Sequence, residues 1–322
     1  MGEIREIDLT QNGALRPSTL LWRYVPLRTL FVYLPNRVFV PSLNTLREND
    51  PFEGRFYYDD HPSEFNGALT KRYGEQADKI LDWIYTDRLK DWQRKSVLNP
   101  DTQLRDYNNS LFPEHYFEFV RETRFAWCWF NPSNAAESAA MWNTYGKDGV
   151  AVVTTVERLT AALKKTGRDF EYGQLKYLEV SPYGVINPKL QFSAREFSHD
   201  EVMLCPHFFK RAEYQSENEI RFVTVEAPRT SGGIILDLDA TEWIKTVKLW
   251  PGLSATEADA LKQVIASKLP KATCERSSML REVYQDEVDS LASNYLETIW
   301  NTSSDSDWRM PADLKRLWAT NP

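Results

Sequence analysis

The chain has 322 residues, of which 42% are hydrophobic and 13% aromatic, so it carries enough apolar side chains for a packed core and is not intrinsically disordered. Its net charge of −7 and isoelectric point of about 5.4 argue against a broad basic surface for duplex DNA or RNA. The chain opens without an apolar signal segment and has no run of about 18 apolar residues, so we expect no membrane contact. Three widely spaced cysteines match neither a disulfide framework nor a zinc motif, which favours the cytoplasm.

Runs of β-branched and aromatic residues between turn-forming residues predict strands, and apolar residues three or four apart predict helices. After an irregular lead-in at residues 1–19, the predicted strands lie at residues 20–25, 37–40, 124–130, 149–155, 174–180, 221–225, 234–238 and 246–249. The predicted helices lie at residues 27–34, 74–91, 114–124, 135–145, 156–165, 201–210, 256–269, 275–300 and 311–318. Before the helix at 256–269, Ser254 and Glu257 have the spacing of a capping box.

The order of these elements shows no regular alternation of strand, helix and strand, which indicates an α+β protein. We expect one core domain at residues 20–270 and a helical, acidic C-terminal extension at residues 271–322. The apolar spacing in the extension favours packing on the core, while docking of a partner protein is the alternative.

The segment from Glu217 to Val225 carries alternating charges at its start. On a strand, Glu217, Glu219 and Arg221 line one face, because side chains two apart point the same way. Such a face is either exposed to solvent or forms the floor of a polar cleft. A structural salt bridge between Arg23 and a carboxylate such as Glu219 is a third interpretation.

Other polar and aromatic side chains lie in apolar segments or tight turns. They are Arg23, Tyr24, Asn49, Asp50, Trp142 and Tyr145. For Asn49 and Asp50, turn formation alone is the simpler explanation, and for Trp142 and Tyr145 it is packing. Since the histidines are not paired at ligand spacing, we expect no metal site.

Taken in order, these segments resemble a bacterial family known only as domain of unknown function 2971. The resemblance runs from about residue 20 to residue 270, in blocks at residues 21–24, 38–53, 140–150, 209–221 and 243–252. The layout of that family is similar to the ADP-ribosyltransferase fold, which has an early strand with Arg or His, a second strand ending in Ser and a late strand with Glu-x-Glu. This resemblance implies mixed or antiparallel sheets that form a split β core with flanking helices.

The resemblance also implies roles for individual residues, with NAD as the substrate. Arg23 would hold NAD, Ser42 would support the site, Glu219 would stabilise the cationic transition state, and Glu217 would activate the acceptor. An arginine fork suits a pyrophosphate, and a carboxylate at a developing positive charge favours the transition state. Further contacts to NAD are assigned to Tyr24, Trp142 and Tyr145, and supporting positions to Asn49, Asp50, Lys210 and Arg221.

We therefore expect an NAD-dependent ADP-ribosyltransferase-like enzyme that modifies a protein or nucleic acid, as a bacterial toxin or anti-phage defence effector. This hypothesis requires Arg23 and Glu219 to meet in one cleft near an aromatic ring. It fails if the two residues lie more than about 15 Å apart or on opposite sheet faces. One alternative is a non-catalytic module that binds a nucleotide or a protein, in which the same charges form a structural network. Another is a nucleic-acid enzyme with a local basic groove from Arg88, Lys90, Arg94, Lys95, Lys210 and Arg211.

Overall fold

The computed structural model describes residues 2–8, 14–34, 36–54, 69–70, 74–82, 112–132, 136–179, 205–227, 232–277 and 279. Within these ranges the strands are β1 (Ile4–Glu6), β2 (Leu20–Pro26), β3 (Arg37–Pro41), β4 (Arg124–Phe130), β5 (Gly149–Thr155), β6 (Phe170–Gln174), β7 (Lys176–Leu178), β8 (Phe209–Arg211), β9 (Glu219–Val225), β10 (Gly233–Asp237), β11 (Thr246–Leu249) and β12 (Thr273–Arg276). The helices are α1 (Leu27–Tyr33), α2 (Leu43–Leu46), α3 (Glu75–Asp82), α4 (Phe112–Thr123), α5 (Ala139–Tyr145), α6 (Val156–Lys164), α7 (Ala240–Trp243) and α8 (Ala255–Lys268). Short 3-10 segments cover Pro206–Phe208 and Ala212–Glu217.

The main sheet has eight strands in the order β1-β6-β9-β4-β2-β5-β11-β12. The outer pairs β1–β6 and β11–β12 are parallel and the inner pairs are antiparallel, so the sheet is mixed. The expectation of a mixed sheet with several helices is confirmed. Two smaller sheets pair β3 with β10 and β7 with β8.

The main sheet divides between β2 and β4. These two strands pair at Trp22 and Phe130 alone among the described residues. By contrast, β2 pairs with β5 along its whole length, and β4 does so with β9. The strands β2 and β4 therefore separate beyond this one bridge.

Each face of the sheet buries its own aromatic cluster. On one face, Trp127 packs edge-to-face on Trp243 and Trp129, with ring centroids 5.2 and 5.0 Å apart. On the other face, Tyr24 packs edge-to-face on Trp142 at 4.9 Å. These clusters fix the relative positions of β2, β4 and α5, which carry much of the site described below.

Several predicted elements have the expected bounds. The strands β4 and β5 begin and end where the sequence pattern predicts. The capping box before α8 is present, because Ser254 Oγ accepts from the Glu257 amide and the Glu257 carboxylate accepts from the Ser254 amide. Helix α5 begins at Ala139 rather than residue 135, since the side chain of Ser138 caps it.

Other predictions were wrong or only partly right. The predicted strand at 174–180 is replaced by β6 and β7, and β6 begins at Phe170. A helix was predicted at residues 201–210. Its described part is instead a 3-10 segment at Pro206–Phe208 followed by β8. The first residues of the predicted helix at 275–300 belong to β12, which pairs with β11.

The irregular lead-in predicted at residues 1–19 is wrong in part, because Ile4–Glu6 forms β1 and pairs with β6 in the main sheet. Three further predictions lie largely outside the described residues. They are the last part of the predicted helix at 74–91, the C-terminal extension beyond residue 279 with its helix at 311–318, and the basic residues at 88–95. None of the described helices is long and apolar enough to cross a membrane.

Candidate functional site

A cavity of about 170 Å³ lies where β2 and β4 separate, and we call it the site cavity. Its walls come from strands on both sides of the opening and from the loop after α2. The strands contribute Trp22, Arg23, Tyr24, Cys128, Trp129, Phe130, Glu219 and Arg221, and other segments contribute Asn49, Asp50, Glu53, Tyr145, Lys210, Tyr214 and Glu217. Most of the residues assigned to a site from the sequence therefore line one cavity.

Arg221 is fully buried and joins two carboxylates beside the cavity. Its Nε donates to Glu219 Oε1 at 2.7 Å, and its Nη2 donates to Glu219 Oε2 at 3.2 Å. Its Nη1 donates to Glu53 Oε1 at 2.6 Å and to the His207 carbonyl at 2.8 Å. Glu219 and Arg221 meet in this way because they are two apart on β9 and share a face. We call Glu53, Lys210, Glu219 and Arg221 the Arg221 network.

Glu219 is ionised despite its burial. Burial alone would raise its pKa, but Arg221, Lys210 and the thiol of Cys128 outweigh burial and lower the pKa to about 2. Its backbone amide donates to Tyr177 Oη at 2.8 Å, which fixes the start of β9. A buried carboxylate at the cavity wall is thus held in its charged form.

Glu217 lines the same cavity, but it does not lie on a strand as predicted. It ends the 3-10 segment Ala212–Glu217, and Asn218 has a φ of 38°, so β9 begins only at Glu219. The strand-alternation prediction for Glu217 was therefore wrong. Lys210 nevertheless bridges the two carboxylates, with Nζ 2.5 Å from Glu217 Oε2 and 3.4 Å from Glu219 Oε2. Tyr145 Oη donates to Glu217 Oε1 at 2.7 Å.

The carboxylates also change the proton affinity of their neighbours. Burial raises the pKa of Tyr145, and the charge of Glu217 raises it further. The pKa of Lys210 is raised as well, because Glu219 and Glu53 outweigh its burial. Both groups therefore keep their protons at neutral pH and remain hydrogen-bond donors.

Arg23 is one of the residues that line the cavity, although its backbone faces away from Glu219. Its neighbour Trp22 pairs with Phe130, which pairs with Glu219, so the backbone directs Arg23 to the face opposite Glu219. The side chain donates from Nε to Tyr33 Oη at 3.1 Å and from Nη1 to the Cys128 carbonyl. Burial opposes its charge, but Tyr33, Cys128 and Glu219 together hold its pKa above the ordinary value. Arg23 and Glu219 thus share one cavity although their backbones point them to opposite faces.

Asn49 and Asp50 form the expected turn and also line the cavity. The amide of Phe52 donates to Asp50 Oδ1 at 3.1 Å, as turn formation predicts. Arg211 Nε also donates to Oδ1, at 3.2 Å, and Tyr214 Oη donates to the Asn49 carbonyl at 3.3 Å. Asp50 is only 3% exposed, and its second oxygen, Oδ2, has no hydrogen-bond partner among the described residues.

Two residues assigned to the NAD site from the sequence, Ser42 and Trp142, are not among the residues that line the site cavity. Ser42 is buried and caps α2 by accepting from the Thr45 amide at 3.2 Å. Trp142 is buried, packs on Tyr24 and donates from Nε1 to Glu137 Oε2 at 2.9 Å. Their contacts are structural. Tyr24 does line the cavity, while its Oη accepts from the Ser138 amide at 3.0 Å.

Sequence reasoning missed Glu53 and Cys128, and it also missed aromatic residues of the cavity wall such as Trp22, Phe130 and Tyr214. Glu53 lies 168 positions from its partner Arg221, and no local pattern links them. Cys128 pairs with Arg221 in the β4–β9 register, and its thiol also donates a hydrogen bond to the Glu219 carboxylate. Burial and Glu219 raise the pKa of this thiol, so it stays protonated. The charge of Glu53 inside the block Asn49-Asp-Pro-Phe-Glu53 was the one available signal.

Two residues of the basic groove predicted for a nucleic-acid enzyme are paired with carboxylates in the structure. Lys210 pairs with Glu217 and Glu219, and Arg211 pairs with Asp50 at 3.1 Å. Among the residues that the structure describes, no group of three or more His, Cys, Asp or Glu side chains is arranged to hold a metal.

The comparison with protein families adds one match. A family model described as "Protein of unknown function (DUF2971)" matches residues 141–222, about a quarter of the chain. The matched segment includes Tyr145, Lys210, Glu217, Glu219 and Arg221. Neither the curated proteins nor the solved structures gave a significant match. Over this segment, which supplies the charged floor of the site cavity, the chain is similar to a family whose description names no activity.

Proposed function

We propose that the chain is an NAD-dependent ADP-ribosyltransferase-like enzyme that cleaves the nicotinamide–ribose bond and passes ADP-ribose to an acceptor. The observation that supports this best is the meeting of Arg23 from β2 and Glu219 from β9 at one cavity. The two strands lie on either side of β4, at the point where the sheet divides. The resemblance depends on an early strand with a basic residue, a second strand ending in Ser and a late Glu-x-Glu pattern. In this chain Glu217 precedes β9 and only Glu219 lies on the strand.

The chemistry suits the carboxylate of Glu219. When the nicotinamide–ribose bond breaks, its electron pair leaves with the ring nitrogen and positive charge develops on the sugar. A carboxylate held ionised beside that sugar stabilises the transition state more than the ground state. With a pKa of about 2, Glu219 supplies that charge at any physiological pH.

The size of the cavity limits what it receives. Sites for drug-sized ligands usually measure about 300–1,000 Å³, whereas this cavity measures about 170 Å³. It therefore suits the nicotinamide end of NAD, with the rest of the dinucleotide on the open surface. The rings of Trp22, Tyr24, Phe130 and Tyr145 provide apolar surface for a planar group.

A second candidate function is a non-catalytic module in which these charges only stabilise the fold. It is favoured by the two hydrogen bonds from Arg221 that occupy both oxygens of Glu219. An arginine this close partly neutralises the carboxylate, which weakens its effect on a nearby cation. The backbone placement of Arg23 opposite Glu219 also favours this candidate.

Nicotinamide release from NAD distinguishes the two candidates. We expect release by the wild type and a loss of about 100-fold or more in Glu219→Gln, the size typical for removing a transition-state contact. Glu217→Gln is the matched control, because we expect it to lose transfer to an acceptor while it retains nicotinamide release. A thermal melt of each variant checks that the network still folds. If the wild type releases nicotinamide no faster than the background rate with protein, RNA and DNA acceptors, the result would support the binding module.

The acceptor class and the biological role stay predictions of the resemblance. We propose a protein or nucleic acid as the acceptor. We propose a bacterial toxin or an anti-phage defence effector as the biological role.

A further inference from the structure

We propose that Glu137 is a positioning residue, which holds α5 beside the site cavity and ties this helix to the start of the C-terminal extension. The contacts that Glu137 makes lie within the chain and do not depend on the identity of a ligand. The consequence for a substrate rests on the proposed function.

Glu137 is a buried carboxylate that joins three segments of the fold. Its side chain is 6% exposed. Its Oε2 accepts from Trp142 Nε1 at 2.9 Å and from Ser277 Oγ, and its Oε1 lies 3.3 Å from Lys248 Nζ. These partners come from α5, from the residue after β12 and from β11. Because a buried charge is costly unless it is paired and hydrogen-bonded, the carboxylate and its three partners hold one another in place.

Helix α5 depends on such contacts for its position. It has seven residues, which is too short for a helix to be stable alone. Trp142 lies in its middle and donates to Glu137. Met141 and Tyr145 of the same helix line the cavity, and Tyr145 Oη donates to Glu217 at 2.7 Å. A change in the position of α5 therefore moves two lining side chains and alters the contact with Glu217.

The same carboxylate holds the start of the C-terminal extension. Ser277 is 4% exposed, and its Oγ donates to Glu137 while it accepts from the Met279 amide at 3.3 Å. Glu275 pairs with Lys248 at 3.2 Å, and Lys248 in turn pairs with Glu137. The start of the extension is thus joined to the support of α5 directly through Ser277 and indirectly through Lys248.

The test follows Tyr145 by fluorine NMR in the full chain labelled with fluorotyrosine, with the resonance assigned from Tyr145→Phe. We expect the resonance to shift or broaden in Glu137→Ala, because α5 loses the acceptor for Trp142. Glu137→Gln keeps one oxygen for Trp142, so we expect a smaller change. We expect Ser277→Ala to move the resonance as well, because it releases the extension from the carboxylate. An unmoved Tyr145 resonance in either Glu137→Ala or Ser277→Ala would overturn the proposal.

Thr224→Val is the matched control, because a purely structural role of Glu137 would affect stability alone. Thr224 is buried, its Oγ1 donates to the Asp169 carbonyl at 2.8 Å, and it is not among the residues that line the cavity. We expect Thr224→Val to lower the melting temperature and to leave the Tyr145 resonance unchanged. If it moves this resonance as far as Glu137→Gln does, the change reports a general loosening of the fold, and the proposal is overturned.

The kinetics of nicotinamide release separate this inference from the proposed function. If the wild type cleaves NAD, we expect Glu137→Ala to raise KM for NAD by about tenfold, the size of one hydrogen bond to a charged group, and to leave kcat within about threefold. An unchanged KM would overturn the role of Glu137 and leave the enzyme proposal standing. Movement of the Tyr145 resonance without any cleavage of NAD by the wild type would support the role of Glu137 and overturn the enzyme proposal.

Discussion

Two groups of residues around the site cavity differ in how completely their polar atoms are bonded. In the Arg221 network, the guanidinium of Arg221 bonds both oxygens of Glu219 and both of Glu53, and Lys210 contacts Glu219. At the opposite extreme, Asp50 Oδ2 and Trp22 Nε1 have no partner in the described residues. The difference separates a fully bonded network, which we expect to stabilise the fold, from two buried polar atoms that gain nothing from hydrogen bonding.

The largest expected effect comes from breaking the closed network. Arg221→Met leaves Glu53 and Glu219 buried without their main partner, so we expect a loss of about 3–5 kcal/mol in the free energy of unfolding, measured by urea denaturation. As a control, Lys165→Met removes an exposed partner of Glu242 and should change this free energy by less than about 1 kcal/mol. A loss below 1 kcal/mol for Arg221→Met would mean that the network does not stabilise the fold.

The pH dependence of unfolding tests the same network, because acid protonates Glu219. The pKa of Glu219 is lowered to about 2 in the folded state, so the unfolded state binds the proton more tightly. Its stabilising contribution is therefore complete above about pH 4.5 and is lost as the pH falls toward 2, by about 3 kcal/mol in all. We expect Glu219→Gln to flatten the pH dependence of unfolding across this range. Identical slopes for the wild type and the variant would contradict the low pKa.

The smallest expected effect concerns the rim of the cavity. Tyr145→Phe removes the hydrogen bond to Glu217 Oε1, but the ring is 42% exposed and Lys210 still pairs with Glu217. We expect a loss of stability of about 0.5–1 kcal/mol and a change in transfer to an acceptor, with nicotinamide release nearly unchanged. A loss of release as large as that of Glu219→Gln would place Tyr145 with the catalytic groups instead.

Local patterns in the sequence were sufficient for the strands and helices with uninterrupted apolar runs. Strand β4, from Arg124 to Phe130, is a continuous apolar and aromatic run, and its predicted bounds match the structure. Strand β6 was missed because Phe170–Gln174 is divided by Glu171 and Gly173 and has no apolar run. Here its pairing with β9, not its own composition, determines the strand.

The site was predictable as a set of residues but not as an arrangement. Glu219 and Arg221 share a face because of strand periodicity, which the sequence displays. The left-handed conformation of Asn218 takes Glu217 off the strand, and a pattern of alternating charges does not reveal it. The pairing of Arg221 with Glu53 and the hydrogen bond from Arg23 to the Cys128 carbonyl join residues more than 100 positions apart. Only the folded chain brings these groups together.

The central claim is that the site cavity receives the nicotinamide end of NAD. The most direct test is a crystal structure of the protein soaked with NAD. The account predicts the nicotinamide ring in the cavity and the ribose beside the Glu219 carboxylate. NAD bound elsewhere on the protein, or a cavity left empty at saturating NAD, would contradict it.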